Sequence, residues 1–189
     1  PMTFPEIYIL RHGQTEWNAE NRMQGALNSP LTPQGAADAA RQGAILAQRD
    51  LTGFHYWCSP QARAVQTAGI ALAQIAAHIR TDDRLREIGV GDWAGLLRDT
   101  LPMPDGPDPV AAQYAMAPNG EGFAALTARC HSFLADLRGP AVLVTHGITS
   151  RVLRRILAGD AAIAVATAHG GQGRVYHIKD GIQHLLGRR

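Results

Sequence analysis

At 189 residues with 46% hydrophobic side chains, the chain can bury a core without disulfide staples, and a single domain over residues 1–189 is expected. A balance of 18 Lys and Arg against 16 Asp and Glu leaves a net charge of +2, with the basic residues scattered. That excludes the electrostatic signature of nucleic-acid or membrane-surface binding, and no run of about 20 apolar residues is present to cross a bilayer.

Cys58 closes an apolar run and Cys130 falls on the apolar face of a predicted helix, so both are read as buried, reduced thiols. The segment Pro1 to Pro5 has neither a basic region nor an apolar stretch, so no secretory signal is expected. A soluble, cytoplasmic protein follows from these readings. No feature of the sequence selects an oligomeric state.

Residues 6–10 (EIYIL) read as a first buried strand. A helix is predicted from Thr32-Pro33 to about Gln48, with Thr as cap and Pro in the first turn. Residues 54–58 (FHYWC) form a second strand, and Ser59-Pro60 open another helix by the same logic. Between Leu101 and Pro109, prolines and aspartates forbid regular structure, so a proline-rich insertion is expected at about 96–118. Phe123, Leu126, Cys130, Phe133, Leu134 and Leu137 recur at helical spacing. Residues 141–145 (AVLVT) are the most strand-like run, followed by a helix from about Thr149 to Leu157. Two more strands are expected near 162–167 and 174–178, with Asp180-Gly181 as a turn. This alternation predicts an α/β fold, a three-layer α/β/α sandwich around a mainly parallel sheet.

Three short segments each follow a predicted buried strand: Arg11-His12-Gly13, Ser59-Pro60-Gln61-Ala62-Arg63 and Thr145-His146-Gly147. Ligands of open α/β sheets bind beyond the carboxyl ends of the strands, so parallel neighbours would bring two arginines and two histidines to one crevice. Such positive potential suits a phosphate, whose oxygens a guanidinium fork binds in pairs. Gly147, having no side chain, lets backbone approach a ligand. Taken singly, each histidine could be structural and each arginine an ordinary ion-pair partner. The remaining histidines show no metal-ligand spacing.

Residues 10–18 (LRHGQTEWN), 21–35 (NRMQGALNSPLTPQG), 58–68 (CSPQARAVQTA), 85–95 (LREIGVGDWAG), 118–123 (PNGEGF) and 144–147 (VTHG) together resemble, in order, the motifs of the histidine phosphatase superfamily, also called the phosphoglycerate mutase-like family. The resemblance implies that His12 attacks phosphorus and becomes a phosphohistidine. It implies that Arg11, Arg63 and His146, helped by Asn18, bind the transferring phosphoryl group, and that Glu87 is the proton donor and then the base. Thr15 and Gln24 stand where relatives contact phosphate or substrate. Two positions depart from the pattern: Gly122 where many relatives have serine, and Asn28 where aspartate is more common. No metal or cofactor is implied.

The chemistry is consistent with those residue types: neutral imidazole is a nucleophile near pH 7, and an alkoxide leaving group needs a proton donor. The leading expectation is therefore hydrolysis of a small phosphorylated metabolite. A phosphoglycerate mutase is the first alternative, disfavoured because only about 28 residues separate Trp93 from Glu121, too few for a large cover. A non-catalytic phospho-ligand-binding regulator is the second, disfavoured because nucleophile and proton-donor positions are both filled.

Overall fold

The computed structural model describes residues 3–164 and 171–187. Its strands are β1 (Ile7–Arg11), β2 (His55–Cys58), β3 (Arg80–Thr81), β4 (Ala141–Thr145), β5 (Val175–Lys179) and β6 (Ile182–Leu186). They form one sheet in the order β3-β2-β4-β1-β5-β6. The first four are mutually parallel, and β5 and β6 close the sheet as an antiparallel hairpin. The helices are α1 (Glu16–Ala19), α2 (Pro33–Leu46), α3 (Ala62–Ala71), α4 (Pro109–Ala115), α5 (Phe123–Asp136) and α6 (Gly147–Ala158).

Strand side chains alternate between two cores, which makes the arrangement three-layered. Ile7, Ile9, Ala141 and Leu143 pack with Leu126, Phe133, Val152 and Leu153 of α5 and α6. Tyr8, Leu10, Val142 and Val144 pack with Leu46, Ala64, Ala68 and Ala71 of α2 and α3. Because both faces are covered, β1 and β4 read as continuous apolar runs, as buried parallel strands do. Cys58 belongs to one core and Cys130 to the other; both are free, and burial pushes each thiol up to about 12.

Capping explains where the helices start. Thr32 accepts from Gly35 N at 3.0 Å and Pro33 fills the first turn of α2, as its sequence predicts. The same logic fails at Ser59-Pro60. Helix α3 starts at Ala62, with Gln61 as an N-cap lacking a side-chain bond; the Ser59 hydroxyl accepts from Gln61 N at 3.3 Å, ahead of the helix, and also meets a histidine described below. Helix α6 begins at Gly147, two residues before its expected start.

Four further differences have physical causes. Asp108 caps α4, its Oδ1 accepting from Ala111 N at 3.1 Å, so the proline-rich stretch ends in a helix. Helix α1 is a single turn held by the reciprocal Thr15–Asn18 capping box. In place of the strand expected near 162–167, Asp160–Ile163 is a 3-10 turn, and 165–167 lie outside the described residues. Asp180-Gly181 is a turn as expected, with both residues at positive φ, and it leads into a further strand, β6.

Candidate active site

The register Ile7↔Ala141 to Arg11↔Thr145 sets the carboxyl ends of β1 and β4 side by side, and Cys58 of β2 pairs with Val144 on the far side of β4. His12 N continues the ladder to Thr145 O at 3.0 Å, and Ser59 N to Val144 O at 2.9 Å. The three strand-end segments therefore converge. The rings of His12 and His146 lie 5.2 Å apart between centroids and are inclined by 61°. His12 is 3% exposed, His146 0% and Arg63 1%, so these polar groups are held in the protein interior.

Backbone contact fixes the loop that carries His12. A Cβ on Gly13 would lie 2.1 Å from Gly35 O, and one on Gly35 would lie 2.0 Å from Gln14 O, so two glycines let the loop rest on the start of α2. Gly13 N donates to Thr67 Oγ1 at 2.9 Å, and Thr67 Oγ1 donates to Arg63 O at 2.8 Å, tying the loop to α3. The Gly13 carbonyl in turn meets His12 Nδ1 at 2.7 Å. A carbonyl only accepts, so Nδ1 carries the proton and Nε2 holds the lone pair of a neutral ring.

Burial, then the charges of Arg11 and Arg63, hold the His12 imidazole well below its ordinary 6.5. Burial, then Arg63, His12 and Arg11, depress His146 in the same way. Both rings are neutral at pH 7 in the free protein. Burial lowers Arg63 to about 10 and lowers Arg11 as well; a guanidinium keeps its proton at neutral pH, so both are cations. The pocket thus has two cations and two neutral imidazoles, an arrangement suited to an anion.

Arg63 is held by Gly25 O at 2.8 Å, Leu27 O at 2.8 Å and Asn28 Oδ1 at 3.3 Å. Its terminal nitrogens thus grip the 25–28 loop, and its buried Nε has no partner among the described residues. Asn28 Oδ1 also accepts from Arg63 N at 3.0 Å, so the departure from aspartate supplies an orienting acceptor that leaves the cation's charge uncancelled. Arg11 lies against Gly147: a Cβ there would sit 3.2 Å from Arg11 Nε and 3.3 Å from Cζ. The bare Cα of Gly147 makes room for this guanidinium, in addition to any ligand.

Glu87 occupies the amino end of α6. Its carboxylate accepts from Ile148 N at 3.1 Å, Thr149 N at 3.0 Å, Thr149 Oγ1 at 3.1 Å and its neighbour Ile88 N at 2.9 Å. It does for α6 what a capping side chain does, since His146 at the N-cap makes no such bond. The Glu87 backbone is braced by Gln61 Oε1 and by Arg129, which also pairs with Glu121 of the 118–123 motif.

The structure gives Thr15, Asn18 and Gln24 framework contacts. Thr15 and Asn18 cap α1, and Asn18 Oδ1 also accepts from Gln172 Nε2 at 3.1 Å. Gln24 Oε1 accepts from Ser29 Oγ at 3.0 Å, and Ser29 Oγ accepts from Trp17 N at 3.0 Å. Gly122, the other departure, is the N-cap of α5 at φ 76, where glycine is favoured and no side-chain cap forms. Ser59 was not singled out from the sequence: its hydroxyl lies 2.7 Å from His146 Nε2, while the buried Nδ1 of His146 has no partner among the described residues. Position beyond β2 was the available signal, but Ser-Pro reads more readily as a helix cap.

No described helix is long and apolar enough to cross a membrane. The sequence profile described as histidine phosphatase superfamily (branch 1) matches residues 7–179. The chain is 34% identical over 157 residues to a probable phosphoglycerate mutase of Salmonella paratyphi C, covering 76% of this chain and 70% of the relative. Its fold is similar to that of the Thermus thermophilus protein TTHB049, with TM-score 0.75, 31% identity and 97% of each chain covered. It is also similar to an Escherichia coli protein provisionally assigned as an alpha-ribazole-5'-P phosphatase, with TM-score 0.73, 25% identity and 96% and 94% coverage. On the profile match, the strand-end motifs and the fold together, the chain belongs to the histidine phosphatase superfamily, whose members are phosphatases or mutases.

Proposed function

We propose that this protein hydrolyses a small phosphate monoester through a phosphohistidine on His12. The observation that carries the reading is the 2.7 Å contact of His12 Nδ1 with the Gly13 carbonyl, which assigns the proton to Nδ1 and leaves Nε2 as a neutral nucleophile beside two guanidinium groups. Nε2 attacks phosphorus, the bond from phosphorus to the ester oxygen breaks, and the departing oxygen takes a proton from Glu87. Water then attacks phosphorus, Glu87 takes its proton, and the bond to Nε2 breaks to release phosphate. Arg11, Arg63 and His146 stabilise the charge on the transferring oxygens.

Glu87 enters this cycle as the acceptor of the hydrogen bonds from Ile88 N, Ile148 N and Thr149 N, which hold its carboxylate in place. Release of p-nitrophenolate from p-nitrophenyl phosphate without added metal tests the reading. Turnover by the wild type and loss of at least about a thousandfold in His12→Ala is the expected result. Equal rates in both proteins would remove His12 from the chemistry, and tight phosphate binding without turnover would favour a regulatory phospho-ligand binder.

Mutase activity is a second reading, favoured by the name of the Salmonella relative. It is separated by supplying 3-phosphoglycerate with its 2,3-bisphosphate primer. Hydrolysis predicts free phosphate; rapid formation of 2-phosphoglycerate with little phosphate would establish a mutase.

A further inference from the structure

Beside Arg11, Glu87 and Gly147 lies a cavity of about 270 Å³, close to the lower bound of about 300 Å³ for small-molecule sites. Among the described residues its lining includes four arginines, Arg11, Arg98, Arg151 and Arg154, and one acidic residue, Glu87. Arg151 is paired with Asp108. Among the described residues, Arg154 and Arg98 make no such ion pair.

Arg154 is 2% exposed. Its Nε donates to Ser150 Oγ at 3.1 Å, and its Nη1 to Ala162 O at 2.9 Å and Gln183 Oε1 at 3.5 Å. Its Cζ lies 3.9 Å from the centre of the Tyr176 ring. Each of these partners is neutral. The pattern repeats across the cavity, where Arg98 donates to Gln113 Oε1 at 3.1 Å and to Tyr114 Oη at 2.9 Å, with its Cζ 5.1 Å from that ring. The nearby carboxylates are committed elsewhere, Glu87 to the first turn of α6 and Asp108 to Arg151 and α4.

A buried cation without a counter-charge is costly, and a Leu or Met would fill the same helix position without that cost. Aromatic faces and neutral acceptors orient a guanidinium and offset part of the penalty without cancelling its charge. The buried Arg154 and the half-buried Arg98, both lining one cavity, form a preorganised anion receptor. Glu87, the proton donor to the leaving group in the proposed mechanism, lies in the same wall, so the cavity receives the departing part of the substrate.

We infer that the cavity is an anion subsite, and that the substrate is a phosphate ester with a second anionic group, a carboxylate or a phosphate, on its leaving portion. The placement on the leaving-group side rests on the proposed phosphoryl transfer at His12; the anion affinity does not.

The test is equilibrium binding by calorimetry to the His12→Ala protein, which separates recognition from turnover. Glycerol 3-phosphate and 3-phosphoglycerate share a skeleton and differ in a hydroxymethyl against a carboxylate. The subsite predicts at least tenfold tighter binding of 3-phosphoglycerate, and Arg154→Met on the same background should reduce that preference below threefold. Arg98→Met should reduce it in part, and it decides the matter if Arg154→Met does not fold. The same comparison between ribose 5-phosphate and ribose 1,5-bisphosphate distinguishes a phosphate from a carboxylate. Equal affinities within both pairs, no binding of any of the four at millimolar concentration, or a preference that survives both substitutions would overturn the inference. Absence of phosphate release by the wild type, with the preference intact, would sink the hydrolytic reading and leave the anion site standing.

Discussion

Replacing Gly147 by alanine separates the position of Arg11 from the stability of the fold. The new Cβ would meet Arg11 Nε at 3.2 Å and Cζ at 3.3 Å, so the guanidinium must give way by a few tenths of an ångström. Gly147 is the first residue of α6, where alanine is at least as compatible with a helix as glycine; the change in folding free energy should stay within about 1 kcal/mol. A charge-assisted hydrogen bond from arginine to the phosphoryl group is worth roughly 1.5–3 kcal/mol. Losing one such bond in the transition state lowers kcat/KM by roughly 10- to 150-fold. Steady-state kinetics on p-nitrophenyl phosphate, paired with chemical denaturation, checks both halves. A kcat/KM within twofold of wild type would refute the claim that Gly147 seats Arg11. So would a stability loss above about 2 kcal/mol, because misfolding would then explain the lost activity.

Glu87→Gln should lower kcat/KM at least tenfold more for an alkyl phosphate than for p-nitrophenyl phosphate, whose leaving group departs without a proton; equal losses would argue against proton donation. The same change replaces a charged acceptor at the start of α6 and should cost about 1–2 kcal/mol in urea unfolding. His12 and His146 are depressed in the folded protein, so below about pH 6.5 the unfolded chain binds protons that the native one refuses, and stability falls as pH falls. Between pH 7.5 and 5.5 the loss should reach about 2 kcal/mol, and His12→Gln should remove about half of it; a flat profile would contradict the buried neutral pair. In Gly35→Ala the added Cβ would lie 2.0 Å from Gln14 O, which predicts a destabilisation of about 3 kcal/mol by chemical denaturation.

The elements that were legible in the sequence are those whose environment is fully apolar. Residues 141–145 form a strand buried on both faces, and the run AVLVT leaves no other reading. His12 and His146 each follow such a strand, and that shared setting brings them together. The failures lie where a residue's partner is distant in sequence. Ser59 resembles a helix cap, yet its hydroxyl serves His146, 87 positions away. Glu87 sits outside any regular helix or strand, and its capping role becomes visible only when the backbone N–H groups of Ile148 and Thr149 are brought to it. Arg154 lies among Arg151 and Arg155 on what looks like a solvated helix face, but the 160–163 turn and Gln183 of β6 cover it. Strand β6 alternates exposed and half-buried residues at the sheet edge, so its apolar signal is weak.

The covalent step is the centre of the account, and trapping it is the most direct test. Acid-labile, base-stable label from a radioactive phosphate ester should appear on rapid quenching, at up to one group per chain. Peptide mapping should assign it to His12, and His12→Ala should carry none. Steady turnover with no trapped label at any time point, or label on His146 in place of His12, would contradict the mechanism.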